Sequence, residues 1–322
     1  MVSVVICTYN RAESFRTTLE SLARMEVPAD VSWELIVVDN NSTDDTSAVV
    51  KELGQTSGIN IRYVLERKQG KSYALNSGIK ESRADIIAFT DDDVKVSPGW
   101  LAEIVRTFRD FDCMGVGGRC TPAWDGLPKP AWLLTEGPFR LSGGPLLDFN
   151  LGEDTHPTQV PPWGLNMAFR KSAFEKYGLF RTDLGVSGSS RLGGEDTEFG
   201  FRLLKASEKV IYSPAAIVFH PVQSDRVRKA YFLSWYFNNG RLCIRVWGWP
   251  AEAVLWFGIP RYIFRSLLEN CAKWLISFDS PRRFYYKAQV WESLGKIAET
   301  RRLLRQRPPV RQKERPTEGQ WT

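Results

Sequence analysis

An α/β domain built on a mostly parallel sheet with helices on its faces, followed by a helical, aromatic and basic C-terminal extension, is the fold that the 322-residue sequence predicts. Short apolar runs rich in Val and Ile recur through its first third, as buried strands require. Amphipathic helical stripes lie between the runs. The runs also end in polar clusters, where open parallel sheets bind their ligands.

In chain order, Val2–Tyr9 reads as the first strand and Glu34–Val38 as the second, with Phe15, Leu19, Leu22 and Met25 spaced along one helix face between them. Asn41-Ser-Thr-Asp offers N-cap residues for a second helix that ends near Gly54. Ile61–Leu65, Tyr73–Ser82 and Ile86–Thr90 read as strand, helix and strand, and Pro98 with Leu101 starts another helix. Thr8-Tyr9-Asn10, Asp39-Asn40-Asn41 and Asp91-Asp92-Asp93 are thereby expected to converge on one sheet edge. Residues 121–164, dense in Pro, Gly and Trp and without a period, read as a long ordered loop over a site, a lid or an acceptor-side wall. Helix and strand signals return from Ser172 to Phe219, where Gly193-Gly194-Glu195-Asp196-Thr197 opens a helix. The expected organisation is a main domain over 1–225, a helical region over 226–304 and a flexible tail over 305–322.

With 43% hydrophobic and 25% charged residues, general disorder is excluded. Five cysteines, an odd number with no Cys-x-x-Cys pair, fit neither a disulfide scaffold nor a zinc ribbon. The start lacks the pattern of a secretory signal, so a reducing cytosol is expected. The net charge of +6 is unevenly spread: residues 226–322 carry 19 Lys/Arg against 7 Asp/Glu, and the rest carry 24 against 30. An acidic body suits a metal or polar substrate, and a basic tail suits an anionic surface.

Three successive aspartates after an apolar strand repel one another unless a cation or many donors neutralise them. A divalent ion such as Mg²⁺ or Mn²⁺, sharing its shell with substrate phosphates, is the chemical reading; a solvated acidic turn or helix cap is the plain one. Glu195-Asp196 stands behind two glycines at a helix start, placed to act as a general base or only as a capping acid. His220, after the strand-like Ala215–Phe219, fits a ligand or a core histidine equally. Gly70-Lys71-Ser72 imitates a Walker A ending, but Leu65 stands where the first glycine is needed. The Gly-x-Gly-x-x-Gly of a dinucleotide site, the Gly-x-Ser-x-Gly of a hydrolase and His-Glu-x-x-His are all missing.

Val2-Ser-Val-Val-Ile-Cys-Thr-Tyr-Asn-Arg11, Leu35-Ile-Val-Val-Asp-Asn-Asn-Ser-Thr-Asp44, Phe89-Thr-Asp-Asp-Asp-Val94 and Gly194-Glu-Asp-Thr-Glu198 resemble, in order and over roughly residues 1–220, the motifs of family 2 glycosyltransferases. The resemblance implies the A-type nucleotide-sugar fold, a Rossmann-like sheet, and an inverting transfer of the bacterial glycan-assembly type. It implies nucleotide contacts from Thr8, Tyr9, Asn10, Arg11 and Asp39, with Lys71 and Asn76 in the adjoining segment and Asp91 and Asp92 towards the ribose. Asp93 matches the metal ligand of the Asp-x-Asp motif and His220 the histidine that joins the metal or diphosphate. Asp196 matches the catalytic base, beside Glu195, and Trp163, Gly164 and Asn166 fall in the loop at the donor sugar. On those roles Asp196 takes the acceptor proton, Mn²⁺ or Mg²⁺ stabilises the leaving diphosphate, and one displacement inverts the anomeric centre.

The implied donor is a nucleoside-diphosphate sugar, a UDP-sugar foremost, and the implied acceptor a glycan or a polyprenyl-diphosphate-linked sugar. The alternative is a non-catalytic nucleotide-sugar or glycan-binding protein of the same fold. A nucleic-acid-binding protein is disfavoured by the acidic first part and the lack of a recognition motif. The region after Arg226 holds 7 of the 12 tryptophans, interleaved with arginine, and charges interrupt every stretch long enough to span a bilayer. Amphipathic helices on the inner face of the cytoplasmic membrane are the expectation, and an extension packing its aromatics internally is the alternative.

Overall fold

A computed structural model describes residues 1–186 and 193–306 of the chain. Its first elements are β1 (Val2–Thr8), α1 (Ala12–Ala23), β2 (Trp33–Asp39), α2 (Thr46–Thr56), β3 (Ile61–Leu65), α3 (Lys71–Glu81) and β4 (Ile86–Thr90). β5 (Lys95–Val96), α4 (Trp100–Asp110), β6 (Gly115–Ala123), α5 (Gly143–Leu146), β7 (His156–Pro157), β8 (Asn166–Arg170) and α6 (Lys171–Tyr177) follow. The rest comprises α7 (Glu195–Lys205), β9 (Val210–Pro221), α8 (Lys229–Trp247), β10 (Leu255–Trp256), β11 (Ile259–Pro260), α9 (Arg261–Ile276) and α10 (Ser280–Gln306). The chain divides into two compact units, one of Met1–Ala123 with Phe149–Pro221, the other of Trp124–Asp148 with the chain from Val222 on.

The first unit is the α/β body. Its sheet runs β3-β2-β1-β4-β8-β6-β9-β5, with β7 also pairing β9. β3, β2, β1 and β4 are mutually parallel, so their carboxyl ends share one edge. β8 enters antiparallel beside β4 and β6, which pairs β9 in parallel. Inserting one reversed strand brings the start of β8 to the end of β4, with Thr90 opposite Asn166. β5 pairs antiparallel with β9, Lys95 facing Phe219, and this register carries His220 to the residues just before β5.

Residues buried on both faces explain why these strands read as continuous apolar runs. Beneath the sheet, Phe89 and Phe169 pack with Phe174, Phe180 and Phe199, and the rings of Phe174 and Phe199 stack at 4.6 Å. Burying each such side chain stabilises by about 1.5–3 kcal/mol. α3 lies close on β1 because Gly78 has no side chain; a Cβ there would stand 2.4 Å from Val5 Cγ1. On α1, Phe15, Leu19 and Leu22 are buried as their spacing predicts, but the helix ends at Ala23 and Met25 lies beyond it, half-buried.

In the second unit α8 and α10 pack along their length, made possible by glycines at the crossing: a Cβ on Gly240 or Gly295 would meet the partner helix's backbone at about 2 Å. Glu299 of α10, fully buried, accepts from Arg241 and Arg245 of α8 at 3.1 Å each. Residues 121–164, expected as one loop, are divided by the structure. Trp124–Asp148 belongs to the second unit because Leu133, Leu141 and Leu146 bury their side chains with Phe232, Phe284 and Ala288. Phe149 and the residues after it stay with the first unit, bridging to Cys120. α10 includes Arg305 and Gln306; the remainder of the expected tail, 307–322, lies outside the described residues.

Candidate active site

The carboxyl ends of β1, β2 and β4 deliver the three polar clusters to one edge of the first unit. At β2 the buried Asp39 accepts from the Ser42 backbone N–H at 2.8 Å and from the Tyr63 hydroxyl at 2.7 Å, so its carboxylate is held by its own turn and by β3. Asn40 is the second anchor: its amide donates to the carbonyls of Glu66 and Lys68 at 3.1 and 2.8 Å and accepts from Gly70 N–H at 2.8 Å. These bonds fix the loop that leads to Lys71. Asn10, with φ of 51°, accepts from Thr43 N–H at 2.7 Å and ties the turn after β1 to the turn after β2. Thr8 is buried at the strand end and Tyr9 stands exposed beyond it.

The three aspartates differ in their surroundings. Asp91 pairs with Lys71 Nζ at 2.6 Å. Desolvation disfavours the Lys71 ammonium, but Asp91 and Glu195 outweigh it and raise its pKa, so the lysine stays charged. Arg11 reaches over from the end of β1 and its guanidinium touches both Asp92, at 3.1 Å, and Asp93. Burial pushes Asp92 up to about 6 despite Arg11 beside it. Asp93 Oδ2 also lies 3.7 Å from His220 Nε2, the meeting that the β5–β9 register enforces.

Asp93 Oδ2, which Arg11 also contacts, and His220 Nε2 are an O and N donor pair of the kind that Mn²⁺ or Mg²⁺ accepts, so an ion bound there would share Asp93 with Arg11 or displace it. No group of three or more His, Cys, Asp or Glu side chains able to hold a metal occurs among the described residues. An ion held at Asp93 and His220 would need the rest of its shell from phosphate oxygens and water.

Asp196 occupies the first turn of α7. Its Oδ2 accepts from Gly164 N–H at 2.6 Å, and its Oδ1 from Thr197 N–H at 2.7 Å and from the Thr197 hydroxyl at 3.2 Å. Gly164 lies close because it has no side chain: a Cβ there would stand 2.9 Å from Asp196 Oδ2. Thr90, last residue of β4, holds the same loop by donating to the Leu165 carbonyl at 2.8 Å. Trp163 packs on Phe149 with ring centres 4.8 Å apart. Glu195 is buried, its Oε2 has no hydrogen-bond partner among the described residues, and its carboxyl is pushed up to about 7 by desolvation first and by Asp196 second.

The structure thus brings Arg11 onto Asp92 and Asp93 with His220 3.7 Å from Asp93, and separately pairs Lys71 with Asp91 and Gly164 with Asp196. Two residues expected at the ligand are committed elsewhere. Asn76 exchanges both of its amide bonds with the backbone of Phe180, at 2.9 and 3.0 Å. Asn166, fully buried, accepts from Trp100 Nε1 and donates to the carbonyls of Arg119 and Ala216, all at 2.8 Å. It pins the register shift between β6 and β9 at Gly118/Arg119. Sequence reasoning missed Asn40, although it lies in a cluster already singled out, and Tyr63, whose neighbour Asp39 only strand pairing reveals.

Residues 3–178 match the family model described as glycosyl transferase family 2. The chain is 30% identical over 250 residues to the succinoglycan biosynthesis protein ExoM of Rhizobium meliloti, covering 74% of this chain and 73% of that one. It is also 30% identical over 225 residues to a glucosyl-dolichyl phosphate glucuronosyltransferase of Haloferax volcanii, covering 68% of each. Among solved structures, a Pyrobaculum calidifontis mannosyltransferase in complex with GDP-Man and Mn²⁺ superposes with a TM-score of 0.55 at 17% identity, over 96% of this chain and 76% of that one. S. aureus TarS in complex with UDP-GlcNAc gives 0.53 at 15% identity, over 94% and 91%. At such identities these two likenesses establish the fold.

Proposed function

The chain belongs to glycosyl transferase family 2 and is a glycosyltransferase, and from that premise we propose that it inverts the anomeric centre of a nucleoside-diphosphate sugar in a single displacement by an acceptor hydroxyl. The observation that carries the reading is Asp196: a carboxylate at the first turn of a helix, held by Gly164 and Thr197 and near enough to Lys71, the partner of Asp91, to help keep that lysine charged. The N–H groups that it accepts orient it and leave a lone pair for the acceptor proton, so attack and deprotonation occur together. Asp39 takes the base or ribose of the donor, and Arg11 and Lys71 supply positive charge for the diphosphate. Asp93 and His220 hold the divalent ion, which when bound supplies positive charge for the leaving diphosphate. Asp92, adjacent to that pair, tunes its charge.

Support for the donor class comes from the fold neighbours, which bind GDP-Man with Mn²⁺ and UDP-GlcNAc; a UDP-sugar is our first candidate. Support for the acceptor class comes from relatives named for succinoglycan biosynthesis and for a dolichyl phosphate glucuronosyltransferase, which favour a glycan or a polyprenyl-linked sugar. A lipid-linked acceptor places the enzyme peripherally on the inner face of the cytoplasmic membrane. No helix among the described residues is long and apolar enough to cross one. A panel of nucleotide sugars with Mn²⁺, followed by mass detection of product, tests the reading. Turnover of one donor with release of its nucleoside diphosphate is the expected result, and saturable donor binding without turnover on any acceptor supplied would make the protein a binding module.

A further inference from the structure

The second unit exposes large apolar side chains that its own core does not use. α9 buries Ile263 with Ile244, Trp249 and Ile259, and sets Trp274 against Trp291 of α10. The opposite stripe of the helix, Arg261, Arg265, Leu268, Ala272, Leu275 and Ile276, is exposed, with Leu268, Leu275 and Ile276 at 68–70%. These positions recur every three or four residues and so form one continuous face about 24 Å long.

An exposed apolar ring flanks the helix in the chain at each end. At the helix start, β10 and β11 form a tight hairpin with Phe257 and Gly258 at its tip, and Phe257 is 95% exposed. Both tip residues have positive φ, 51° and 76°, a turn that favours Asn or Gly at its first position and disfavours a phenylalanine. The sequence thus accepts both backbone strain and loss of burial to present this ring. Trp256 beside it is half exposed and lies 5.7 Å from the Arg261 guanidinium. At the helix end, Phe278 is 98% exposed because its neighbours are engaged: Ser277 turns in to bond the Lys273 carbonyl at 2.6 Å, and Asp279 caps α10 by accepting from Arg282 N–H at 3.0 Å. Between Val254 and Arg283 stand five basic side chains and two acidic ones.

We propose that this stripe is a membrane-docking surface: Phe257 and Phe278 enter the acyl boundary at its two ends, Leu268, Leu275 and Ile276 follow along α9, and Arg261, Lys273, Arg282 and Arg283 meet anionic headgroups while Arg265 pairs with Glu269 at 2.7 Å. Charge decides the occupant, since residues 226–322 carry 19 basic against 7 acidic side chains and an anionic bilayer complements that excess. The proposal rests on the lipid-linked acceptor reading for its purpose, while the surface itself is tested without any acceptor.

The test is flotation of the full chain with vesicles of phosphatidylglycerol and phosphatidylethanolamine, or of phosphatidylcholine alone, together with the Phe257→Ser/Phe278→Ser double variant. The wild-type chain floats with the anionic vesicles at low salt and is released at high salt. The double variant loses at least ~10-fold in bound fraction, while its donor turnover in solution matches wild type. Flotation of the variant equal to wild type, or a wild-type chain that stays unbound, overturns the proposal. So does a wild-type dimer that the variant dissociates with no vesicle binding by either, which gives the stripe to a second copy. Loss of donor turnover in both proteins with flotation intact would count against the enzymatic reading and leave the surface standing.

Discussion

One hydrogen bond joins Asp196 and Gly164 across 32 positions of the chain. Gly164→Ala puts a Cβ 2.9 Å from Asp196 Oδ2, and because that oxygen is the far end of a flexible side chain it moves aside at little cost in stability. Turnover is expected to fall by ~10-fold or more with the thermal midpoint almost unchanged, since general-base geometry is lost and packing is kept; a variant with full turnover would detach Gly164 from catalysis. Glu195 differs, being a buried carboxyl pushed up to about 7. A folded-state pKa above the unfolded one stabilises at acid pH, and that stability is lost as the pH rises from the ordinary carboxylate range through about 7. Without metal, the wild-type unfolding free energy should therefore fall between pH 5 and pH 8, by up to a few kcal/mol, and Glu195→Gln should flatten the decline; parallel curves for the two proteins would contradict this. The residue types at this site were legible because Asp, Glu and Asn after apolar runs have few plain explanations. The uses of Asn76 and Asn166 were not, since a side-chain amide that bonds a distant backbone leaves no local pattern.

Strand register, rather than any motif, joins Asp93 to His220. β5 is two residues long, and its pairing with β9 brings residues 127 positions apart within 3.7 Å. Alternation made β1 to β4 and α1 to α3 readable nearly to the residue, while the reversed β8 carries no signal of its direction, which is fixed only when it fills the space between β4 and β6. Asn166 shows how strongly the reversed strand is tied in. Asn166→Leu removes three bonds and leaves the Trp100 indole N–H and two carbonyls buried without partners, at about 1–3 kcal/mol each, so urea denaturation should register a loss of about 3 kcal/mol or more. A loss below about 1 kcal/mol would mean that the shift between β6 and β9 holds itself. The division of residues 121–164 between two units was illegible for a related reason. Leu133, Leu141 and Leu146 show no helical or strand spacing, and their burial depends on aromatic partners on α8 and α10.

Over the whole molecule, the charge partition seen in the sequence follows the two units, an acidic α/β body with the carboxylate edge and a basic helical unit. EDTA should abolish turnover, Mn²⁺ or Mg²⁺ should restore it, and Asp93→Ala should resist rescue at ordinary metal concentrations; full activity in EDTA would remove the metal from the reaction. Membership of the family was legible because four motifs lie in order, three of them on strand ends that the sheet brings together and the fourth opening α7, whereas the sugar and the acceptor leave no such pattern. In the proposed mechanism Asp196 removes the acceptor proton during a direct displacement. Donor affinity and nucleoside-diphosphate release, measured side by side for wild type and Asp196→Asn with Mn²⁺ and the donor found by screening, test it most directly. Unchanged donor affinity with turnover lower by at least ~10²-fold is the expected result, and an Asp196→Asn enzyme that turns over at close to the wild-type rate would move the base elsewhere.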